Sequence, residues 1–104
     1  MTGTTIVKYE NKGYVTTKTT TGSISLGGIA LYSDDPIEIA TNVSLTINFI
    51  TVDGIKSDSV KGRVIHNKKI GGIYSLGIYF SEEINPKNQP ALYEHIQNIL
   101  TWDK

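Results

Sequence analysis

Two hydroxyls stand at alternate positions in Ser23-Ile24-Ser25-Leu26-Gly27-Gly28, and the paired glycines lead straight into the apolar run Ile29-Ala30-Leu31. Serine hydroxyls and close-approach glycine backbone can hold an anion without any net charge. The same residues suit a glycine-permitted bulge where a sheet turns a corner. Spacing alone leaves both readings open. No other segment offers comparable chemistry. His66 and His95 fall on different elements with no nucleophile or metal-ligand pattern around them. His66 reads as strand surface, as the wall of a pocket or as a ligand contact. His95, between Glu94 and Ile96, reads as a solvent-side helix residue. Asp34-Asp35 and Glu82-Glu83 are adjacent acids of the kind that end strands and form turns. Neither Gly27-Gly28 nor Gly71-Gly72 leads into a helix with the lysine and hydroxyl of a phosphate loop.

Composition narrows the classes further. The chain has 104 residues, ten basic and ten acidic, and no cysteine. A single domain spanning 1–104 is expected, without disulfides or a thiolate metal site. Neutral charge with scattered bases argues against a nucleic-acid polymer as partner, because such binding draws on phosphate neutralisation. Apolar runs fall far short of the ~20 residues that span a bilayer, so no membrane insertion is expected. Met1-Thr2-Gly3-Thr4 begins no signal peptide, and the default expectation is a cytoplasmic protein.

The elements that must position Ser23–Gly28 are mostly strands. Thr4 to Glu10 alternates, and Asn11-Lys12-Gly13 reads as a turn. Tyr14 to Thr21 is threonine-rich, which favours an edge strand or a mobile arm. Gly28 to Ser33 is a short strand. Val43, Leu45, Ile47 and Phe49 alternate with polar residues and mark a half-buried strand. Thr51 to Asp58 reads as a connection around Asp53-Gly54. Val60, Gly62 and Val64 alternate with Lys61 and Arg63, and Asn67 to Gly72 reads as a polar turn. Tyr74, Leu76, Ile78 and Phe80 form the next inward row, with Gly77 on the opposite face. A helix is expected over about 88–102, with Pro90 in its first turn and Leu92, Ile96, Ile99 and Leu100 on one stripe. The prediction is mainly β: five to six antiparallel strands over about 4–81, closed as a small barrel, with one C-terminal helix on its open end or flank.

Several of these segments, in order, resemble the PilZ family of small β-barrel domains that bind the bacterial messenger cyclic di-GMP. The family motif is Asp or Asn, any residue, Ser, two residues, Gly, commonly with isoleucine second and a further glycine. Ser23-Ile24-Ser25-Leu26-Gly27-Gly28 matches it at Ser25 and Gly28, with Ser23 in place of the acid or amide. Val60-Lys61-Gly62-Arg63-Val64-Ile65-His66 and Tyr74-Ser75-Leu76-Gly77-Ile78-Tyr79-Phe80 resemble later strands of the family, and the likeness covers about residues 14–102. The family's other motif, two arginines separated by three residues, is missing: Arg63 is the first arginine in the chain. Guanidinium groups grip phosphate and stack on guanine in ways lysine does not reproduce.

The resemblance therefore implies a non-enzymatic signalling or adaptor domain of PilZ type. It would act through a protein partner in motility, pilus or envelope-polymer systems, with weak or absent cyclic di-GMP binding. The working surface would be the face near Ser23 to Gly28 together with the helix end at Trp102. The alternative is a functional cyclic di-GMP receptor with non-standard contacts drawn from Ser23, Ser25, Gly27, Gly28, Lys8, Lys12, Arg63 and His66. No cofactor or metal is expected in either case, and no catalytic residue.

Overall fold

The computed structural model describes residues 3–10 and 13–102, with side chains through residue 98. Six strands and a helix follow one another: β1 (Gly3–Glu10), β2 (Tyr14–Ile24), β3 (Gly28–Ser33), β4 (Asn42–Thr51), β5 (Gly54–Ile70), β6 (Ile73–Phe80) and α1 (Pro90–Trp102). All pairings are antiparallel, and the order β1-β2-β3-β6-β5-β4 returns to β1, which is bonded to β2 on one edge and β4 on the other.

The expected plain small barrel is corrected in its form, because the strands are not evenly wrapped. β2 pairs with β1 through Tyr14–Thr20 and then with β3 from Thr20 to Ile24. β5 likewise pairs with β4 up to Arg63 and with β6 from Gly62 onward. Register breaks between Thr21 and Ile24 and between Val64 and His66 mark the two corners. A bulge adds an unpaired residue, bends the strand and increases its twist. The closed order is thus built from two antiparallel sheets sharing corner strands. One comprises the first part of β2, β1, β4 and the first part of β5. The other comprises the end of β2, β3, β6 and the end of β5.

Other expectations change for related reasons. The threonine-rich run is no edge or arm: β2 has neighbours on both sides, and Thr17, Thr19 and Thr21 are buried. Their hydroxyls are satisfied locally, with Thr5 Oγ1 and Thr21 Oγ1 2.8 Å apart and Thr19 Oγ1 donating to Thr5 O at 2.7 Å. The expected connection over Thr51–Asp58 is mostly hairpin, since β4 runs to Thr51 and β5 resumes at Gly54. The expected polar turn from Asn67 is strand to Ile70, leaving Gly71 and Gly72 as the turn. Gly71 takes φ 62°, a value that suits glycine. The Asn11-Lys12 part of the first turn lies outside the described residues.

Inward residues of the strands, among them Val7, Leu31, Leu45, Ile47, Phe49, Val64, Leu76 and Ile78, form one core with Ile84, Leu92 and Ile96. The helix therefore closes the molecule where β4 ends and β5 begins. Pro90 is its first residue, slightly later than expected, where a missing N–H costs nothing. A strand caps it: Asp58 on β5 accepts a hydrogen bond from the Leu92 N–H at 2.8 Å. This satisfies one of the orphan amides of the first turn and is worth about 1 kcal/mol. Gln89 Nε2 donates to Ser59 O beside it.

His95 is the remaining correction among the helix residues. It is half-buried, and its ring stacks on Phe49 with centroids 4.8 Å apart. The helix is laid across the barrel end, so the flank that sequence assigned to solvent meets Phe49. Burial pushes the His95 imidazole below its ordinary pKa, so the folded state favours the neutral ring. Between the unfolded value near 6.5 and the lower folded value, the unfolded chain binds more protons, and stability rises with pH. Stability should fall as pH drops through about 6.5 and level off below the folded pKa. In thermal melts across that window, His95→Phe should flatten the slope; an unchanged slope would remove His95 as its source. The side chains of Ile99, Leu100 and Trp102 lie outside the described residues.

Candidate functional site

Ser23–Gly28 forms the corner between β2 and β3, and much of its backbone is committed to the fold. The N–H of Ser25 donates to Gly28 O at 2.9 Å, closing the turn. Phe80 N donates to Gly27 O at 2.9 Å, and Ile84 N to Leu26 O at 2.8 Å. Those two bonds tie the corner to the end of β6 and to the segment leading into α1. Leu26 packs half-buried against the core. The two glycines have unlike surroundings. A Cβ on Gly28 would lie 2.7 Å from Ile78 O, whereas one on Gly27 meets nothing within 4 Å. Only Gly28 is required by close backbone approach.

Ser23 and Ser25 keep exposed side chains, and the Ser25 hydroxyl makes just a long 3.4 Å bond to Gly28 O. Both line a shallow hollow of about 320 Å³ that also includes Ala30, Ile65, Gly77 and Tyr79. Among the described residues lining it there is no lysine, arginine or histidine. Its rim is aromatic and aliphatic instead. Tyr79 is 64% exposed, Ile65 53% and Tyr32 43%, all on the outer side of β3, β6 and β5. Tyr32 extends over Gly22, where a Cβ would stand 3.0 Å from its ring.

The remaining predicted site residues divide between two faces. Arg63 is cross-strand from Tyr79, which is cross-strand from Gly28. That puts the Arg63 backbone two strand spacings, about 10 Å, from the motif. Its side chain turns the other way, with Nε donating to Ala40 O at 3.3 Å on the β4 side. Ala40 holds φ 77°, an uncommon conformation for a residue with a Cβ. His66 pairs with Gly77, itself paired with Ala30, so His66 borders the motif face and is exposed.

Lys8 is elsewhere. On β1 it pairs with Thr16, seven positions from Ser23 along β2, a separation on the order of 20 Å. In the closed order β1 and β6 are three strands apart either way round, so outward residues of β1 face away from the motif. The structure therefore does not bring Lys8 to Ser23–Gly28. Lys12 lies outside the described residues.

A protein-family model for the PilZ domain matches residues 4–101, nearly the whole chain. The chain belongs to the PilZ domain family. No curated protein matches it. A PilZ-type domain is a non-enzymatic signalling or adaptor module. Among the described residues no three metal-ligating side chains gather, and no helix is long and apolar enough to cross a membrane. Tyr79, Tyr32 and Ile65 are the members of the PilZ motif face that sequence reading passed over. Strict alternation with Ile78 and Phe80 already turns Tyr79 outward, so that signal was available. Ile65 sits at a bulge, which breaks the alternation around it.

Proposed function

We propose that this PilZ domain acts as an adaptor that binds a protein through the outer face of β3, β6 and β5, with weak or absent affinity for cyclic di-GMP. One observation carries the reading: the hollow at the motif has no cationic lining, and exposed aromatic and aliphatic side chains border it. Cyclic di-GMP carries two phosphates, and charge-assisted bonds from guanidinium or ammonium groups hold phosphate about twice as strongly as neutral donors do. Exposed Tyr79 and Ile65 at the hollow, with Tyr32 on the same face, are instead an apolar patch bearing the tyrosines that protein-contact hot spots favour. As for PilZ domains in general, the partner would belong to bacterial motility, pilus or envelope-polymer systems, with the cytoplasm as the site of action. The receptor reading keeps Ser23, Ser25, Gly27 and Gly28 as donors, with His66 at the border and Arg63 reaching in only if its bond to Ala40 breaks.

Isothermal titration of the whole chain with cyclic di-GMP, at low and near-physiological salt, tests this directly. No saturable heat up to several hundred micromolar is expected. Saturable low-micromolar binding that Ser25→Ala abolishes without moving the melting temperature would replace the adaptor with a receptor. In cells, Tyr79→Ala should impair the dependent surface behaviour while the protein keeps its melting temperature.

A further inference from the structure

The zero net charge conceals a division between strands, which carry most of the bases, and loops, which carry most of the acids. Among the described residues only two acids lie on strands, Glu10 and Asp58, and Asp58 is occupied in capping the helix. The other described acids are in loops or on α1. Of the strand bases, Lys8, Lys18, Lys56, Lys61 and Arg63 lie on the first sheet and Lys68 and Lys69 at the far end of β5. Thr16, Lys8, Ser44 and Lys61 form one cross-strand row through β2, β1, β4 and β5, and all four are exposed. Asn42 and Arg63 form the neighbouring pair, and Lys18 lies beyond Lys8 on β2. The sole ion pair among the described residues is Lys56 with Asp53, so Lys8, Lys61 and Arg63 have no carboxylate partner among them. Lys8 is held in place by the Tyr14 ring, with Nζ 4.7 Å from its centroid. Beside this row lies a broad cleft of about 1070 Å³, lined by Lys8, Tyr14, Asn42, Ser44 and Lys61, with Glu10 the one acid among its described lining residues.

From this we infer that the outer face of β1, β4 and β5, centred on Lys8, Ser44 and Lys61, docks an acidic segment of a partner protein. The spread of the cations selects that occupant. Lys8 and Lys61 stand two strand spacings apart, about 10 Å, on an open face where water and salt screen any single pair. A small anion gains little there, whereas a segment with several carboxylates engages Lys8, Lys61 and Arg63 at once, with Ser44 and Asn42 as neutral donors between them. Like-charged faces repel, so two copies of this chain do not meet through it. Lys8 and Ser44 face away from the PilZ motif and Arg63 alone borders its face, so the inference does not depend on the function proposed for that motif.

The test is fluorescence anisotropy of a labelled hexaglutamate peptide with the whole chain at low salt. Saturable binding is expected, weakened at least about tenfold by K8A/K61A, the loss of two surface charge contacts. The melting temperature should stay constant, and K68A/K69A, a basic pair on the β5–β6 hairpin, should bind like the parent. Absence of saturable binding, or an equal loss in K68A/K69A, overturns the inference. So does complete displacement by equimolar pyrophosphate, which marks a small-anion site, or tighter binding of polyuridylate, which marks a nucleic-acid surface. A concentration-dependent dimer that K8A/K61A disperses also overturns it.

Discussion

A Gly28→Val variant is expected to lose about 3 kcal/mol or more, while Gly27→Ala melts within a few degrees of the parent. The two glycines are adjacent and both belong to the PilZ motif, yet their surroundings differ. A Cβ at Gly28 would stand 2.7 Å from Ile78 O, inside the β3–β6 ladder where Gly28 pairs with Tyr79. Backbone cannot swing aside as a flexible side chain can, so the two strands must part. Parting them also strains the Phe80–Gly27 bond that anchors the corner. At Gly27 the added methyl meets open space, and φ there is not in the left-handed region. Thermal denaturation of the two variants checks this, and equal melting temperatures would refute the steric account. The result also governs how ligand assays are read. A Gly28 variant that loses activity has lost its fold, so it carries no information on contact with a ligand; Ser25→Ala does.

Phe49→Ala should cost about 3–5 kcal/mol, the usual range for deleting a fully buried phenylalanine. Phe49 is 0% exposed, points inward from β4 and belongs to the core shared by strands and helix. It is also the surface on which His95 stacks, so truncation removes the seat of α1 as well as leaving a cavity. A domain of this size has about 5–15 kcal/mol of stability in total, so the variant should be partly unfolded at 37 °C or melt about 15 °C or more below the parent. Phe49→Leu keeps most of the volume and should recover the larger part of the loss. A fall of only a few degrees for Phe49→Ala would mean that the helix contributes little to closing the barrel. Neither variant touches the outer face of β3 and β6, so the two experiments separate what the fold requires from what a partner requires.

Much of this architecture could be read in the chain because burial on a strand has period two. Val43, Leu45, Ile47 and Phe49 are all buried, as are Leu76, Ile78 and Phe80, and each strict alternation told which face was inside. The helix was legible from Pro90 and the spacing of Leu92 and Ile96. The ordered set of segments also carried the family. Period-two reading failed where the neighbour changed. Thr17, Thr19 and Thr21 looked like a polar edge because threonine is at home on a solvated strand, and nothing local says that β1 and β3 cover both sides. His66 and Ile65 are both exposed because the bulge after Val64 inserts a residue, and no alternation survives that.

Which residues belong to one site was decided by strand order, and strand order is a long-range property. Lys8 and Ser23 share a part of the chain but face opposite ways once β1 closes onto β4. Arg63, far along in sequence, comes within two strands of Gly28, yet its side chain is drawn to Ala40 O on the other side. By itself the sequence determined the strands, the inward faces, the helix and the damaged motif at Ser23–Gly28. Only the tertiary structure decided that the motif hollow lacks cations, that Tyr79 and Ile65 line it and that Tyr32 lies exposed on the same outer face. It alone gathers Lys8, Ser44 and Lys61 in one row on the opposite face. The physical reason is that local sequence sets which way a side chain points from its own strand, while closure of the ladder sets which strands become neighbours.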